Sequence, residues 1–374
     1  MIEFSCFKRK LFSEITEIPI FFQQKHLPSL DGLRAFSVFY VIAFHWYLGW
    51  AHDAEKDIYL PDMVQSALQE GILGVHFFFI LSGFLITSLL LKEKIVHQAI
   101  SFKNFYFRRA FRILPIAILY LLVVIVLNVI FDKDVKANNI IFPLFFAENL
   151  DINYHYYTAH YWSLAVEEQF YLFFPFMITL KILNYYRVAL ILLIIAPAVH
   201  YIFTHHCPGN PFLRHVLHFV NIILNRGLLS ILIGTFLSIV LFKFKFTIQI
   251  NKYLYSILQI LVLYLVLFFH KRHWIGNVNI LLSDIFIAIF LFSLLVNKDS
   301  LFYKLLNTSL FKWVGVLSYS LYIWQEPFCA FQPWKDSFPY GGSMLSNLPI
   351  LMLVAFLSYN YFEKPFLKLK ERFK

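Results

Sequence analysis

Long apolar segments recur along the chain, separated by shorter polar or charged segments. A segment of about 20 apolar residues can cross the ~30 Å hydrocarbon layer of a membrane as an α-helix. The pattern predicts an all-α fold, a polytopic membrane helix bundle of about ten transmembrane helices. One stretch, residues 211–242, is too long for a single simple span and leaves the helix count open there. The predicted spans lie near residues 29–50, 71–91, 111–131, 163–180, 188–204, 216–242, 253–270, 279–297, 313–330 and 345–362.

The composition supports a membrane protein. Hydrophobic residues make up 60% of the 374 residues and charged residues 14%, and the mean hydropathy is +0.66. In a soluble domain, about a quarter of the residues are charged. The net charge of +10 does not indicate a nucleic-acid partner, because most of the 32 lysines and arginines fall on one side of the predicted spans. Basic loops mark the cytosolic side, so we predict a multi-pass protein of the cell (inner) membrane with both termini in the cytosol (N-in/C-in).

The predicted spans divide the chain into a cytosolic N-terminal segment at 1–28, a membrane domain at 29–363 and a basic cytosolic tail at 364–374. No metal site is predicted, because the histidines and the cysteine of "THHCPGNPFLRH" lack the paired spacing of zinc motifs. The sequence also has no G-x-S-x-G and no phosphate-loop motif, so serine-hydrolase and P-loop chemistry are unsupported.

The first predicted span, "SLDGLRAFSVFYVIAFHW", carries two ionisable residues, Arg34 and His45. Such residues are costly at membrane depth and usually mark function. Eleven residues of helix rise ~16 Å and return close to the same face, so both side chains project along one stripe. A neutral imidazole there could accept a proton from a hydroxyl. The structural alternative is a histidine hydrogen-bonded between helices and an arginine that reaches the lipid headgroups.

An arginine cluster precedes the third span, in "NFYFRRAFRILP". Arg109 and Arg112 are i,i+3 neighbours on a helix, and Arg108 and Arg112 are i,i+4 neighbours. Guanidinium groups bind phosphate through a rigid bidentate fork, so this cluster is a candidate polyphosphate site. Anchoring of the helix at the cytosolic surface is the alternative explanation.

Three further segments combine polar and aromatic residues inside predicted spans. In "GVHFFFILSGFLIT", Ser82 and Gly83 allow a close approach between helices. In "HYWSLAVEEQFYLFFP", Glu167 and Glu168 are carboxylates in an apolar segment, where Trp162 fits either an interfacial belt or a sugar-binding wall. The segment "SYSLYIWQEPF" contributes the polar and aromatic residues Tyr319, Tyr322, Trp324, Gln325 and Glu326.

In order and spacing, these five segments resemble the acyltransferase family 3 of membrane O-acyltransferases, over roughly residues 27–365. One departure is Gln325, because the family often has histidine at this position. Many relatives carry a soluble esterase-like domain after the last span, whereas this sequence ends at Lys374, so we expect transfer to be completed within the membrane domain. The residues that carry the resemblance are Asp31, Gly32, Arg34, His45, Gly74, Val75, Phe78, Phe79, Ser82, Gly83, Arg108, Arg109, Arg112, Ile113, Pro115, Trp162, Ser163, Glu167, Gln169, Tyr171, Ser318, Tyr319, Tyr322, Trp324 and Pro327.

The resemblance implies transfer of an acyl group, in the first place acetyl, from cytosolic acyl-CoA to a sugar hydroxyl of a cell-surface or lipid-linked polysaccharide such as lipopolysaccharide O-antigen. Acetyl-CoA would be the donor, and no metal is implied. The hypothesis for catalysis is that His45 deprotonates the hydroxyl, Arg34 orients the donor, and Glu167 binds the acceptor or orients the base. Donor binding is assigned to Arg108, Arg109, Arg112 and Ser82. Acceptor binding is assigned to Glu168, Trp162, Tyr322, Trp324 and Glu326.

A glycolipid or polysaccharide transporter or flippase remains the alternative, since it would also need many spans, buried charge and an aromatic path. Such a protein relocates its substrate, whereas an acyltransferase changes the mass of its substrate. The arginine cluster on the donor side favours the enzyme. The expected partners are acyl-CoA, a glycan or lipid-linked sugar, and membrane lipids. The sequence does not specify the glycan, the hydroxyl or the oligomeric state.

Overall fold

The computed structural model describes residues 15–24, 27, 29–52, 60–151, 153–179, 195, 210, 213, 227–246, 250–271 and 277–373. Within these ranges the backbone is helical, with short 3-10 and π segments and no strand. The all-α prediction is therefore confirmed for this part of the chain. Three predicted features lie outside the described ranges, apart from single residues. They are the span at 188–204, residues 211–226 of the long apolar segment, and the histidines and the cysteine of "THHCPGNPFLRH".

The longer helices of the described ranges follow the predicted apolar segments. Five helical segments are long and apolar enough to cross a membrane: Ile72–His97, Phe102–Phe131, Lys252–Lys271, Val278–Val296 and Met344–Phe373. The count of about ten and the N-in/C-in orientation stay predictions. We number the longer helices α1 (Leu30–His52), α2 (Ile72–His97), α3 (Phe102–Phe131), α4 (Tyr161–Thr179), α5 (Leu228–Lys243), α6 (Lys252–Lys271), α7 (Asn277–Val296), α8 (Ser309–Trp324) and α9 (Met344–Leu357).

Shorter helical segments connect or extend these helices. After α9 the backbone continues through a π-helical turn, Ser358–Glu363, into the tail helix, Lys364–Lys370, and a final 3-10 turn, Glu371–Phe373. The other short segments are Ile20–Gln23, Asp62–Leu68, Asn138–Leu144, Glu148–Leu150, Tyr156–Ala159, Leu301–Leu306 and Glu326–Cys329.

The chain forms two compact units. The first comprises Met1–Gly32, His76–Ile100 and Val166–Thr308. Within it, α6 packs along α7, and α5 also packs on α7. Two glycines bring α2 and α5 into backbone contact: a Cβ atom on Gly83 would lie 1.9 Å from the Ile231 carbonyl oxygen, and one on Gly234 would lie 2.0 Å from the Ile80 carbonyl oxygen. The close helix approach predicted for Gly83 is therefore confirmed.

The second unit comprises Leu33–Val75, Ser101–Ala165 and Ser309–Lys374. Within it, α8 packs on α9 and α3, and the tail helix packs along α3. The Phe373 ring stacks on Phe107 and Phe111 of α3, with centroid distances of 4.9 and 5.7 Å. Arg108 Nη1 donates a hydrogen bond of 2.8 Å to the Phe373 carbonyl oxygen. These contacts hold the C-terminal segment against the arginine-bearing end of α3.

Candidate functional site

Two histidines flank a buried carboxylate in the second unit. His45 Nε2 lies 3.4 Å from Glu326 Oε1, and His160 Nδ1 lies 3.6 Å from the same oxygen. The Glu326 side chain is 1% exposed and that of His45 is 16% exposed. A buried carboxylate is tolerated only where charges or hydrogen bonds compensate its lost hydration. We call His45, His160 and Glu326 the histidine–glutamate cluster.

The sequence around each residue explains how the cluster forms. His45 lies on α1, one helical turn before Gly49, where an added Cβ atom would lie only 2.8 Å from Ala330 Cα. The missing side chain at Gly49 thus allows α1 to approach the chain that follows Glu326. Pro327 lies at the first turn of the helix Glu326–Cys329, a position where its missing N–H costs no helical hydrogen bond.

Aromatic side chains enclose the cluster. The His160 ring packs edge-on against the rings of Tyr120, Tyr161 and Tyr322, with centroid distances of 5.2, 4.9 and 5.6 Å. The Tyr322 hydroxyl lies 2.5 Å from Ser163 Oγ and donates to the His160 carbonyl oxygen at 3.1 Å. These contacts fix the backbone that carries His160.

The arrangement suits acid–base chemistry at His45. A carboxylate on one imidazole nitrogen selects the tautomer and leaves the other nitrogen as the proton acceptor. His45 Nδ1 is buried and has no hydrogen-bond partner among the described residues. The Tyr156 hydroxyl interacts with Glu326 from another side. The geometry therefore provides an imidazole with a carboxylate at one nitrogen and no hydrogen-bond partner among the described residues at the other.

Gln325 and Trp324 lie next to the cluster in sequence and are also buried. Within the described ranges, neither polar atom of the Gln325 amide has a hydrogen-bond partner, and neither does Trp324 Nε1. Buried polar groups without partners cost about 1–3 kcal/mol each, and in native proteins they tend to mark functional sites. Gln325 thus carries an amide with unused hydrogen-bonding capacity within the described ranges.

A second concentration of charge lies at the arginine-bearing end of α3. Four arginines act electrostatically on the ammonium group of Lys370 in the tail helix: Arg112, Arg109, Arg108 and Arg34. Arg112 also acts on the buried Glu363 carboxylate, which accepts a hydrogen bond from Ser320 Oγ. We call these four arginines and Lys370 the cationic group. Like charges repel, and such a group is typical of anion-binding sites.

The remaining predicted residues are divided between the two units. Ser82 Oγ donates a hydrogen bond of 2.6 Å to Glu167 Oε1 in the first unit. Glu168, also in the first unit, and Trp162, in the second, are both half-buried. The structure brings His45 together with Glu326, and Arg34 together with Arg108, Arg109 and Arg112. The roles predicted for all these residues stay predictions.

Several residues of these clusters are not predicted from the sequence. His160 is the first residue of the quoted "HYWSLAVEEQFYLFFP" segment, but it precedes the predicted span at 163–180. Lys370 belongs to the predicted basic tail at 364–374, for which no partner is predicted. A buried cluster in the first unit was missed as well: His76 Nδ1 lies 2.7 Å from Asp284 Oδ1, and Ser230 Oγ donates to Asp284 Oδ2 at 2.8 Å. These partners could not be predicted because they are far apart in the sequence.

No group of three or more His, Cys, Asp and Glu within the described ranges has a metal-binding arrangement. Cys329 is a buried free thiol, and Cys207 lies outside the described ranges.

Comparison with known proteins agrees with the motifs. Residues 27–359 match an acyltransferase family described as "Acyltransferase domain". "O-acetyltransferase OatA" of Staphylococcus aureus strain NCTC 8325 / PS 47 is 28% identical over 382 residues, and the protein of the same name from strain COL gives the same values. Each alignment covers 93% of this chain but 58% of the relative, so the chain spans little more than half of those proteins. No solved structure gives a significant match. Since the family match covers most of its length, the chain belongs to this acyltransferase family.

Proposed function

We propose that this protein is a membrane O-acetyltransferase that transfers an acetyl group from acetyl-CoA to a sugar hydroxyl of a cell-surface or lipid-linked polysaccharide, such as lipopolysaccharide O-antigen. Family membership and the names of the relatives support acyl transfer. The observation that carries the proposal is that one helix, α1, supplies both Arg34 to the cationic group and His45 to the histidine–glutamate cluster.

The cationic group would bind the phosphates of the donor. Arginine forks pair with phosphate through two parallel hydrogen bonds, and Lys370 adds a point charge. Arg34 and His45 are eleven residues apart on α1, a rise of ~16 Å. The pantetheine arm of CoA likewise separates the phosphates from the thioester, so a donor held at the cationic group would extend its acyl carbon toward His45.

The histidine–glutamate cluster would perform the transfer. Glu326 holds the Nε2–H of His45, so Nδ1 accepts the proton of the sugar hydroxyl as its oxygen attacks the thioester carbonyl carbon. The C–S bond then breaks, and the proton on His45 passes to the departing thiolate. A positioned general base of this kind contributes typically 10²–10⁴-fold to the rate. Glu326 acts through His45 and is a positioning residue in this scheme.

The orientation of the chain is part of the proposal. With both termini in the cytosol of a multi-pass inner-membrane protein, Arg109 and Arg112 face cytosolic acetyl-CoA. The segment between α3 and α4 then faces the extracytoplasmic acceptor. Glu167, hydrogen-bonded to Ser82 in the first unit, is proposed to bind the acceptor, and sugar contacts are proposed for Glu168 and Trp162 as well.

The proposal is tested by mass spectrometry of surface glycans. Cells that lack the gene are complemented with the wild type, His45→Ala or His97→Ala at matched membrane abundance. His97 is an exposed histidine at the end of α2 and serves as the control. An alkali-labile acetyl increment with the wild type and His97→Ala, but not with His45→Ala, is the expected result.

The same experiment separates the enzyme from a transporter. A transporter would change the location of a glycan without changing its mass. Unmodified glycans in every strain, together with an intracellular accumulation of glycan that only the wild type relieves, would overturn the acyltransferase proposal. Full acetylation with His45→Ala would overturn only the role proposed for His45 and would leave the acyltransferase proposal in place.

A further inference from the structure

A pocket of about 400 Å³ lies in the second unit, near the histidine–glutamate cluster. This volume falls within the range of small-molecule sites. Its walls include the aromatic rings of Tyr156 and Phe331, and Gly49 of α1 lines it one helical turn after His45. None of the lining residues belongs to the motifs that carry the family resemblance.

Tyr156 connects the pocket to the candidate catalytic residues. Its side chain lines the pocket, and its hydroxyl interacts with Glu326. The same hydroxyl accepts a hydrogen bond of 3.2 Å from the Ala330 backbone N–H. A molecule in the pocket is thus separated from the Glu326 carboxylate by one side chain. This is the position that an acceptor of the transferred group would need.

The uncharged polar groups of the pocket are largely engaged within the protein. His155 Nε2 donates to the Lys133 carbonyl oxygen at 3.0 Å, and its Nδ1 accepts from the Tyr157 N–H at 3.3 Å. Burial lowers the pKa of His155, which agrees with a neutral ring. The Tyr157 hydroxyl donates to the Phe331 carbonyl oxygen at 2.8 Å. Neither residue therefore determines the charge that the pocket prefers.

The charged lining residues are Lys133, Lys335 and Asp336. The lining itself thus holds two ammonium groups and one carboxylate, and the carboxylate of Asp134, outside the lining, acts electrostatically on His155. Lys133 is half-buried and Lys335 is exposed. Aromatic walls with two lysine side chains in the lining are complementary to a sugar ring that carries an anionic substituent.

We propose that this pocket binds the acceptor sugar, and that Lys133 and Lys335 select acceptors whose sugar carries a carboxylate or a phosphate. The inference rests on the proposed acetyltransferase function, since it names the class of glycan that this function would modify. It also assigns a binding role to residues outside the family motifs.

A binding experiment tests the inference without requiring transfer. Purified protein in lipid nanodiscs is titrated with three probes: digalacturonate, neutral galactobiose and a galactobiose phosphate. We expect the wild type to bind at least one anionic probe about tenfold more tightly than galactobiose, a difference typical of one well-placed charged contact. Comparison of the two anionic probes identifies which anion the pocket prefers.

Variants assign the preference to the lysines. Lys133→Gln and Lys335→Gln are each expected to reduce the anionic preference several-fold, and the double variant is expected to abolish it. Lys136→Gln is the matched control, because Lys136 is an exposed lysine of the same loop that does not line the pocket. Equal or undetectable binding of all three probes by the wild type, or an unchanged preference in the double variant, would overturn the inference.

The outcome can be separated from that of the proposed function. The same preparation is assayed for transfer of radiolabelled acetyl from acetyl-CoA to a crude surface-glycan fraction. Transfer without any anionic preference in binding would overturn only the pocket inference. Anionic preference with neither transfer to glycan nor hydrolysis of acetyl-CoA would support the pocket and overturn the acetyltransferase proposal.

Discussion

His45 and Glu326, which are 281 positions apart in the sequence, lie with Nε2 and Oε1 only 3.4 Å apart in a buried part of the second unit. The first is supplied by α1 and the second by the short helix that follows α8. Their contact helps a histidine to be tolerated within an apolar helix, because the carboxylate lies next to Nε2 of the imidazole. The sequence predicts that Glu326 binds the acceptor, whereas in the structure Glu326 contacts His45, the proposed base.

The first prediction concerns the carboxylate of Glu326. Glu326→Gln keeps the size of the side chain but removes the charge that fixes the His45 tautomer. We expect kcat for acetyl transfer to fall about 100-fold, at the lower end of what a positioned base contributes, while KM for acetyl-CoA stays unchanged. Steady-state kinetics in nanodiscs measures both constants. Glu17→Gln, at an exposed position, should behave as the wild type. An unchanged kcat in Glu326→Gln would show that His45 does not depend on this carboxylate.

The second prediction concerns the close approach at Gly49. A Cβ atom at this position would overlap the backbone at Ala330, 2.8 Å away, so Gly49→Ala must move α1 away from the chain that carries Glu326. We expect a severalfold loss of kcat in a variant that is still inserted in the membrane, since small displacements disrupt catalytic geometry. Ala51→Ser is the control, because Ala51 is a small, exposed position of the same helix. Equal activity of the two variants would argue against this role of Gly49.

The third prediction concerns the cationic group. Arg109→Ala and Arg112→Ala are each expected to raise KM for acetyl-CoA about 10- to 100-fold, because charge-assisted hydrogen bonds contribute about 1.5–3 kcal/mol. Lys370→Ala should shift KM in the same direction. Lys103→Ala, which removes an exposed charge from the same helix, should leave KM unchanged. Adenosine 3′,5′-bisphosphate, a fragment of the donor that lacks the thioester arm, is used as a competitor of acetyl-CoA. If its inhibition constant is the same for the wild type and all variants, the phosphates bind elsewhere.

The helices could be predicted from the sequence because apolar length alone indicates a span. Their ends were less predictable. The third span was predicted from residue 111, but α3 begins at Phe102, because the charged segment "NFYFRRAFR" continues the helix beyond its apolar part. The ninth span was predicted to end at residue 330, whereas α8 ends at Trp324 and the chain restarts a helix at Glu326. Pro327 favours that restart, and the break is what presents Glu326 to His45.

The candidate site was predictable only in part, and the reason is physical. Spacing on one helix places Arg34 and His45 on a common stripe, and spacing on α3 places Arg109 and Arg112 together. Contacts between helices depend on which faces meet, and periodicity does not report this. His160 and Lys370 therefore became visible as partners only through tertiary packing.

The fourth prediction concerns the buried cluster of the first unit. Asp284→Ala removes the carboxylate that contacts His76 and Ser230. Because it leaves buried polar groups without partners, we expect a loss of about 3 kcal/mol in the free energy of unfolding. Thermal unfolding in detergent measures the loss, with the exposed Asp299→Ala as the control. Activity per folded molecule should be retained, unlike in Glu326→Gln. A variant of wild-type stability that has lost kcat would instead place this cluster in the catalytic machinery.

The last prediction concerns the pH dependence of stability. Glu148 lies in the 3-10 segment Glu148–Leu150, outside the membrane-spanning helices. Burial raises the pKa of its carboxyl to about 8 from an ordinary value of 4.5, and nearby Asp151 adds to the rise, whereas the hydrogen bond from Thr158 opposes it. The folded protein thus keeps a proton that the unfolded chain releases near pH 4.5. The contribution of Glu148 to stability is therefore fully present below pH 4.5 and is lost as the pH rises through 8.

We expect the unfolding temperature to fall between pH 5 and pH 8 in the wild type and to fall less in Glu148→Gln, since an amide does not titrate. Asp62→Asn, at an exposed position, should keep the wild-type slope, and parallel curves for Glu148→Gln and the wild type would mean that Glu148 is ionised in the folded protein throughout this range.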